Sequence, residues 1–313
     1  STILPARTFP GLPETPTHAR MKSRYAPAVL LAFLALAPVA RPAGVAGAEM
    51  TRVAYNNPGL LTDLGVGLWA WPLPMDFNGD GLMDLVVACT DKPSNGIYVF
   101  LNTGEVDPVT HLPVFAPGKR IGAADRSPQI SYVDGRTYVT TAGKLHPQFK
   151  ERGFDAPVTI GDPAKIHLEK GNIRANQWKY VDFDGDGVLD LAVGIDFWGD
   201  YGWDDAWDAQ GRWKNGPLRG YVYLLRNTGT NEKPVYAEPT KILTTDGKPV
   251  DVFGMPSPSF GDFDGDGDLD LICGEFLDGF TYFENVGTRT APRYAPGRRP
   301  TVGGQPLRMD LCM

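Results

Sequence analysis

The sequence predicts an all-β protein assembled from propeller blades, each a four-stranded antiparallel sheet, and three observations predict it. Across 313 residues, 37 glycines and 28 prolines are scattered among short apolar runs, the pattern of many turns joining short strands. An acidic string recurs three times, as DFNGDGLMDL from Asp76, DFDGDGVLDL from Asp182 and DFDGDGDLDL from Asp262. Behind each copy stand an aromatic-alternating run ending in Asn and a second, Pro-x-aromatic run, so the repeat is larger than the string.

Residues 1–20 are proline-rich and aperiodic, and they precede Met21; they read as an upstream extension with no assigned function. Residues 21–48 follow the grammar of a signal peptide: Lys22 and Arg24, an apolar stretch, then Ala46, Gly47 and Ala48. That stretch is shorter than the ~20 residues a spanning helix needs, and no later run approaches that length. The expectation is a secreted or extracytoplasmic protein with no membrane span after cleavage. Residues 49–313 then form the propeller region.

Each string can be numbered from its first aspartate. Acids or Asn fall at positions 1, 3, 5 and 9, with Gly at 4 and 6, which is calcium-loop spacing. The side-chain ligands predicted are Asp76, Asn78, Asp80 and Asp84; Asp182, Asp184, Asp186 and Asp190; Asp262, Asp264, Asp266 and Asp270. The position-7 residues, Leu82, Val188 and Asp268, supply backbone carbonyls. Carboxylates crowded this closely repel one another unless a cation neutralises them, so the loops at 76–84, 182–190 and 262–270 predict about three Ca²⁺ ions. Position 12, where an EF-hand supplies Glu, is apolar here (Val87, Val193, Cys273), so no helix-loop-helix is implied. Positions 8 and 10 are apolar in every copy and read as a strand leaving the loop with one face buried.

The charge fits this reading. The chain carries 30 basic and 37 acidic residues, and residues 1–48 account for five of the former and only Glu14 of the latter. What remains is 25 against 36, or −11, which repels nucleic acid. Eleven of those acids are the loop aspartates, and three divalent ions would bring −11 to −5. Of three cysteines, Cys89 and Cys273 lie in apolar runs and read as small buried hydrophobes.

The trailing runs are GIYVFLNTG then LPVFAPGK, GYVYLLRNTG then KPVYAEPTK, and GFTYFENVG then APRYAPGRR. With the strand entering each loop (NQWKYVDF in the second copy) they make four strands per unit, a propeller blade. In these motifs the chain resembles the FG-GAP or VCBS-type repeats of integrin alpha-chain heads and secreted bacterial proteins. The resemblance implies calcium-loaded blades serving as adhesion modules, lectin-like binders or accessory domains; a few polysaccharide lyases also use propellers.

Loop starts at 76, 182 and 262 are spaced by 106 and 80, whereas aligning Pro249 with Pro306 gives an offset of 57 and places the next loop near residue 319. Three loops fall short of the four to eight blades with which propellers typically close. The expectation is a gene fragment stopping inside its next blade, with closure through other chains as the alternative.

The second unit carries an insertion. From the position-9 aspartate to the hairpin Gly there are 11 intervening residues in copy one and 8 in copy three, but 29 in copy two. The surplus, residues 196–219, holds four of the seven tryptophans (Trp198, Trp203, Trp207, Trp213) beside Tyr201, Asp204 and Asp205. Aromatic faces over carboxylates suit a sugar; packing of the tryptophans on one another, or contact with a partner protein, are the alternatives. Residues 120–179 lengthen unit one and include His146, His167, Arg152 and Arg174, a conceivable base and uronate clamp that reads more simply as solvated loop residues. The functional expectation is a binding or adhesion module with a glycan or cell-surface protein as ligand. A polysaccharide lyase or hydrolase is the catalytic alternative.

Overall fold

The computed structural model describes residues 66, 69–91, 95–166, 173–202 and 206–308. The extension, the signal peptide, Trp203, Asp204, Asp205, His167 and Cys312 lie outside them. Nearly all the regular structure is β, arranged as four blades of an incomplete propeller.

In the first blade β1 (Ala70–Met75), β2 (Asp84–Cys89) and β3 (Gly96–Phe100) run antiparallel, β4 (Asn102–Val106) pairs with β5 (Pro113–Phe115), and β6 (Lys119–Gly122) closes on β3. The second sheet comprises β7 (Gln129–Val133), β8 (Arg136–Thr141), β9 (Lys144–Leu145) and β10 (Val158–Thr159), with a short helix at Phe149–Arg152. The third has β11 (Asn176–Val181), β12 (Asp190–Phe197), β13 (Arg219–Leu225) and β14 (Thr240–Lys241), and β15 (Asp251–Val252) also pairs with β13. The fourth contains β16 (Ser257–Gly261), β17 (Asp270–Gly274) and β18 (Phe280–Phe283); isolated bridges Tyr282↔Arg298 and Gly279↔Arg308 hold its outer side, and β19 (Thr301–Val302) pairs with β20 (Gln305–Pro306).

The second sheet corrects the sequence reading. Residues 120–179 are not a lengthened connection in unit one; they contain a blade of their own with no acidic loop. Where the other blades place eight residues between their first two strands, this one turns in two, Asp134 and Gly135, both at positive φ (49° and 71°) as a type I′ hairpin requires. The 106-residue spacing therefore spans two blades.

Period-two alternation explains the cores. Along β12, Leu191, Val193 and Ile195 face the second blade with Trp178 and Tyr223, whereas Ala192 packs the other way, with Val222 of its own sheet, against Leu271 and Phe283 of the fourth blade. A third cluster joins Leu73, Val86 and Ile97 to Ile130 and Val139 across the first two blades. Each core lies between consecutive blades, so a central strand is apolar on both faces, and β12 is buried almost throughout. Cys89 and Cys273 are both buried and outside any disulfide, Cys273 in the core between the third and fourth blades. The first strands β1, β7, β11 and β16 pack side by side in that order and line a common channel. Among the described residues no helix is long and apolar enough to cross a membrane.

Candidate functional site: three acidic loops and an aromatic insertion

The glycines come first, because they let the chain curl. Gly79, Gly81, Gly185, Gly187, Gly265 and Gly267 all have positive φ, between +72° and +93°, where a Cβ is strained. Around five of the six a Cβ would meet nothing within 4 Å, so the requirement is conformational.

With the backbone curled, its amides turn inward onto the acids. In the first loop Asp76 Oδ1 accepts from Gly79 N (2.7 Å) and Oδ2 from Gly81 N (3.1 Å); in the third, Asp262 accepts from Gly265 and Gly267 at the same distances. At position 5 the carboxylate accepts from the position-7 amide in every loop, Asp80 from Leu82, Asp186 from Val188 and Asp266 from Asp268.

Position 9 does a different job. Asp84 accepts from Phe77 N (2.9 Å) and Asn102 N (2.8 Å), and Asp270 from Phe263 N (3.1 Å) and Asn285 N (2.8 Å). Asp190 accepts from Asn227 N at 2.7 Å through Oδ1, while its Oδ2 has no hydrogen-bond partner. In the first and third loops this acid latches the loop's start to the end of the blade's third strand; in the second it holds that strand's end alone. The Asn it holds passes the order outward: Asn227 Oδ1 accepts from Gly229 and Val235, Asn285 Oδ1 from Gly287 and Arg293. Asn102, Asn227 and Asn285 pair with Phe115, Tyr236 and Tyr294, which explains why Asn and Pro-x-aromatic recur together. The latching role of Asn was not evident from its letter alone.

Two Asp triads can hold a metal ion, Asp182/Asp184/Asp186 and Asp262/Asp264/Asp266, with ligand oxygens of each within 4.8 Å of one another. They are not equivalent. In the second loop Arg226 contacts Asp184 and approaches Asp190 at 3.5 Å, and Arg289, reaching over from the fourth blade, sits 3.0 Å from Asp182. Oxygens of Asp182, Asp184 and Asp190 remain without hydrogen bonds, and burial pushes the Asp190 carboxyl up to about 6. The third loop has Glu284 where the second has Arg226. Desolvation and then the neighbouring carboxylates of Asp270, Asp266 and Glu284 raise Asp264, while burial followed by Asp266, Asp270 and Asp264 raises Asp268. Asp268 is 5% exposed with Oδ1 unpartnered, so a cation placed there would answer an unsatisfied oxygen. In the first loop Asn78 donates to Asp80 (2.8 Å), easing the charge internally, and Lys150 donates to the Asp76 carbonyl.

The insertion is partly absorbed into longer strands, β12 and β13. Trp198 does not face solvent: it is buried, donates to Asp196 at 2.8 Å and packs on Phe276 and Tyr201. Beyond it Trp207 and Trp213 bridge as a small hairpin with ring centroids 5.2 Å apart, and Tyr201 lies 4.3 Å from Trp213. Trp207 is 56% exposed at the tip, beside the Arg212–Asp208 pair (2.8 Å). His146, expected in a solvated loop, is buried, bonds Thr141 at 3.0 Å and packs edge-on against Phe154; burial lowers its pKa. Arg174 stacks over Trp69, Trp198 and Phe276.

No family model, no curated protein and no solved structure matches the chain.

Proposed function

We propose that the chain is an extracytoplasmic, calcium-binding β-propeller of FG-GAP/VCBS type that acts as a binding module, with glycan as its ligand. The observation that carries the metal reading is the third loop. Three aspartates converge there, a fourth is buried without a partner, and a glutamate adds charge. Hard oxygen donors in a glycine-turned loop suit Ca²⁺. The aspartates and Asn78 at positions 1, 3 and 5 hold the ion, the carbonyls of Leu82, Val188 and Asp268 complete it, and Asp84, Asp190 and Asp270 keep the loop closed around it.

The ligand reading is supported by the insertion's outer hairpin, where Trp207 with Trp213 and Tyr201 forms an aromatic shelf flanked by charged groups. Indoles of this kind pack the apolar face of a pyranose.

Calorimetric titration of the metal-free protein tests the first part. Calcium uptake with a rise in melting temperature reversed by EDTA is expected; no uptake, or an unchanged melting temperature, overturns it. A glycan array with Trp207→Ala tests the second. Retention lost on substitution, with calcium content intact, supports it; retention on a partner protein and on no sugar replaces it with protein adhesion.

A further inference from the structure

The channel between the first strands offers a second place to bind. Its main chamber, about 660 Å³, adjoins another of about 550 Å³, and the two share Trp71, Pro72, Ser257 and Ser259 on their walls. These are the dimensions of small-molecule sites. Lys179 stands in the main chamber on β11 and donates to Ser259 Oγ at 2.8 Å. Only half-buried by area because it faces the channel, its amine is nonetheless crowded by protein; burial lowers its pKa to about 8.

Among the described residues no carboxylate pairs with that amine. Asp182 on the same wall is engaged by Arg289 at 3.0 Å, Asp134 is exposed in the hairpin turn, and Glu275 of the adjoining chamber is held by Arg299 at 2.5 Å. The other titratable neighbours, Tyr132, Tyr180 and Cys273, are neutral at pH 7, with pKa values raised chiefly by burial. Two strand positions away on the same face, Gln177 is 6% exposed and its Oε1 has no partner. Lys179 retains two donors beyond the Ser259 bond.

We propose that this channel is a binding site for a small hydroxylated carboxylate, with Lys179 as counter-charge and Ser257, Ser259 and Gln177 engaging its hydroxyls. One ammonium matches one negative charge, whereas a dianionic phosphate would be left half-compensated close to Asp182. The walls contributed by Trp71 and Phe260 accept a carbon skeleton. No residue of the insertion lines either chamber.

Gluconate and glucuronate, with glucose as control, titrated calorimetrically into the wild type, Lys179→Met and Lys179→Arg at pH 7 and pH 9.5 form the test. Saturable binding of the acids but not of glucose is expected, at least tenfold weaker at pH 9.5, lost in Lys179→Met and partly kept in Lys179→Arg. Trp207→Ala should leave it unchanged. Acids and glucose binding alike, or binding that survives Lys179→Met, would place the sugar at the insertion and overturn the channel site. No saturable binding of either acid overturns it too.

Stability gives a ligand-free readout that shows whether the variant folds. The folded amine loses its proton near pH 8 while the unfolded one keeps it to about 10.5. Measured against Lys179→Met, which should be at least as stable at pH 7, wild-type stability should therefore rise across that window; the buried Cys273 thiol, whose pKa is raised, pulls both proteins the other way as pH rises and drops out of the difference. A difference that does not change with pH contradicts the placement of the amine.

Discussion

The loops beginning at Asp182 and Asp262 differ at one letter of ten, Val188 against Asp268, yet the fold handles their charge in opposite ways. The first is answered by Arg226 and Arg289, whereas the second is made more negative by Glu284. Arg226 and Glu284 occupy the same register position, immediately before the latching Asn, and the first loop has Leu101 there. One residue outside the acidic string thus sets the field inside it. A repeat identical in its ligands can carry sites of different affinity, because an ion entering the second loop must compete with guanidinium groups already in place.

The largest effect should come from what the two loops share. Asp190→Ala strands one backbone donor, the amide of Asn227, and Asp270→Ala strands two, those of Phe263 and Asn285, so losses of about 1.5 and about 3 kcal/mol are expected in urea unfolding with EDTA present. Losses that track the number of stranded donors confirm a latch independent of charge environment. A loss seen only with calcium would make position 9 a ligand first and a latch second.

Exchanging the register residue sharpens the contrast directly. Arg226→Glu should strengthen calcium binding at the second loop and Glu284→Arg should weaken it at the third, each by roughly tenfold, about 1.4 kcal/mol. Calorimetry on the two variants and their combination checks this. If the affinities do not move in opposite directions, the arginines and Glu284 are bystanders.

The acidic loops were legible in the sequence because glycine at positions 4 and 6 and acids at 1, 3 and 5 have few other physical uses. The second blade was not. Its hairpin turns on Asp134 and Gly135 between QISYV and RTYVTT, where alternation and an Asp-Gly pair are present but no acidic string marks the blade as a copy of the others. That blade also shows that the fold does not need an eight-residue acidic loop to connect its first two strands, which strengthens the case that the acids serve an ion. Arg289 was invisible for a different reason: its partner Asp182 lies 107 positions away, in another blade, and no local pattern announces such a contact. The insertion's tryptophans declared an aromatic cluster, but only packing could separate buried Trp198 from exposed Trp207.

The smallest effect separates the two loops at one glycine. Gly265→Ala should lower stability by about 1 kcal/mol through backbone strain alone, since its φ is +87° and a Cβ would meet nothing within 4 Å. Gly185→Ala carries the same backbone penalty, but its Cβ would meet the Arg289 side chain at 3.3 Å. The guanidinium is the flexible partner, so it should yield and loosen its hold on Asp182. The expected signature is a divergence: both variants lose similar stability in EDTA, while calcium affinity falls or holds at the third loop and rises at the second. Calorimetric titration beside urea unfolding for the pair checks it. Parallel behaviour in calcium would mean that Arg289 does not guard the second loop and that its pairing with Asp182 leaves the ion's access unchanged.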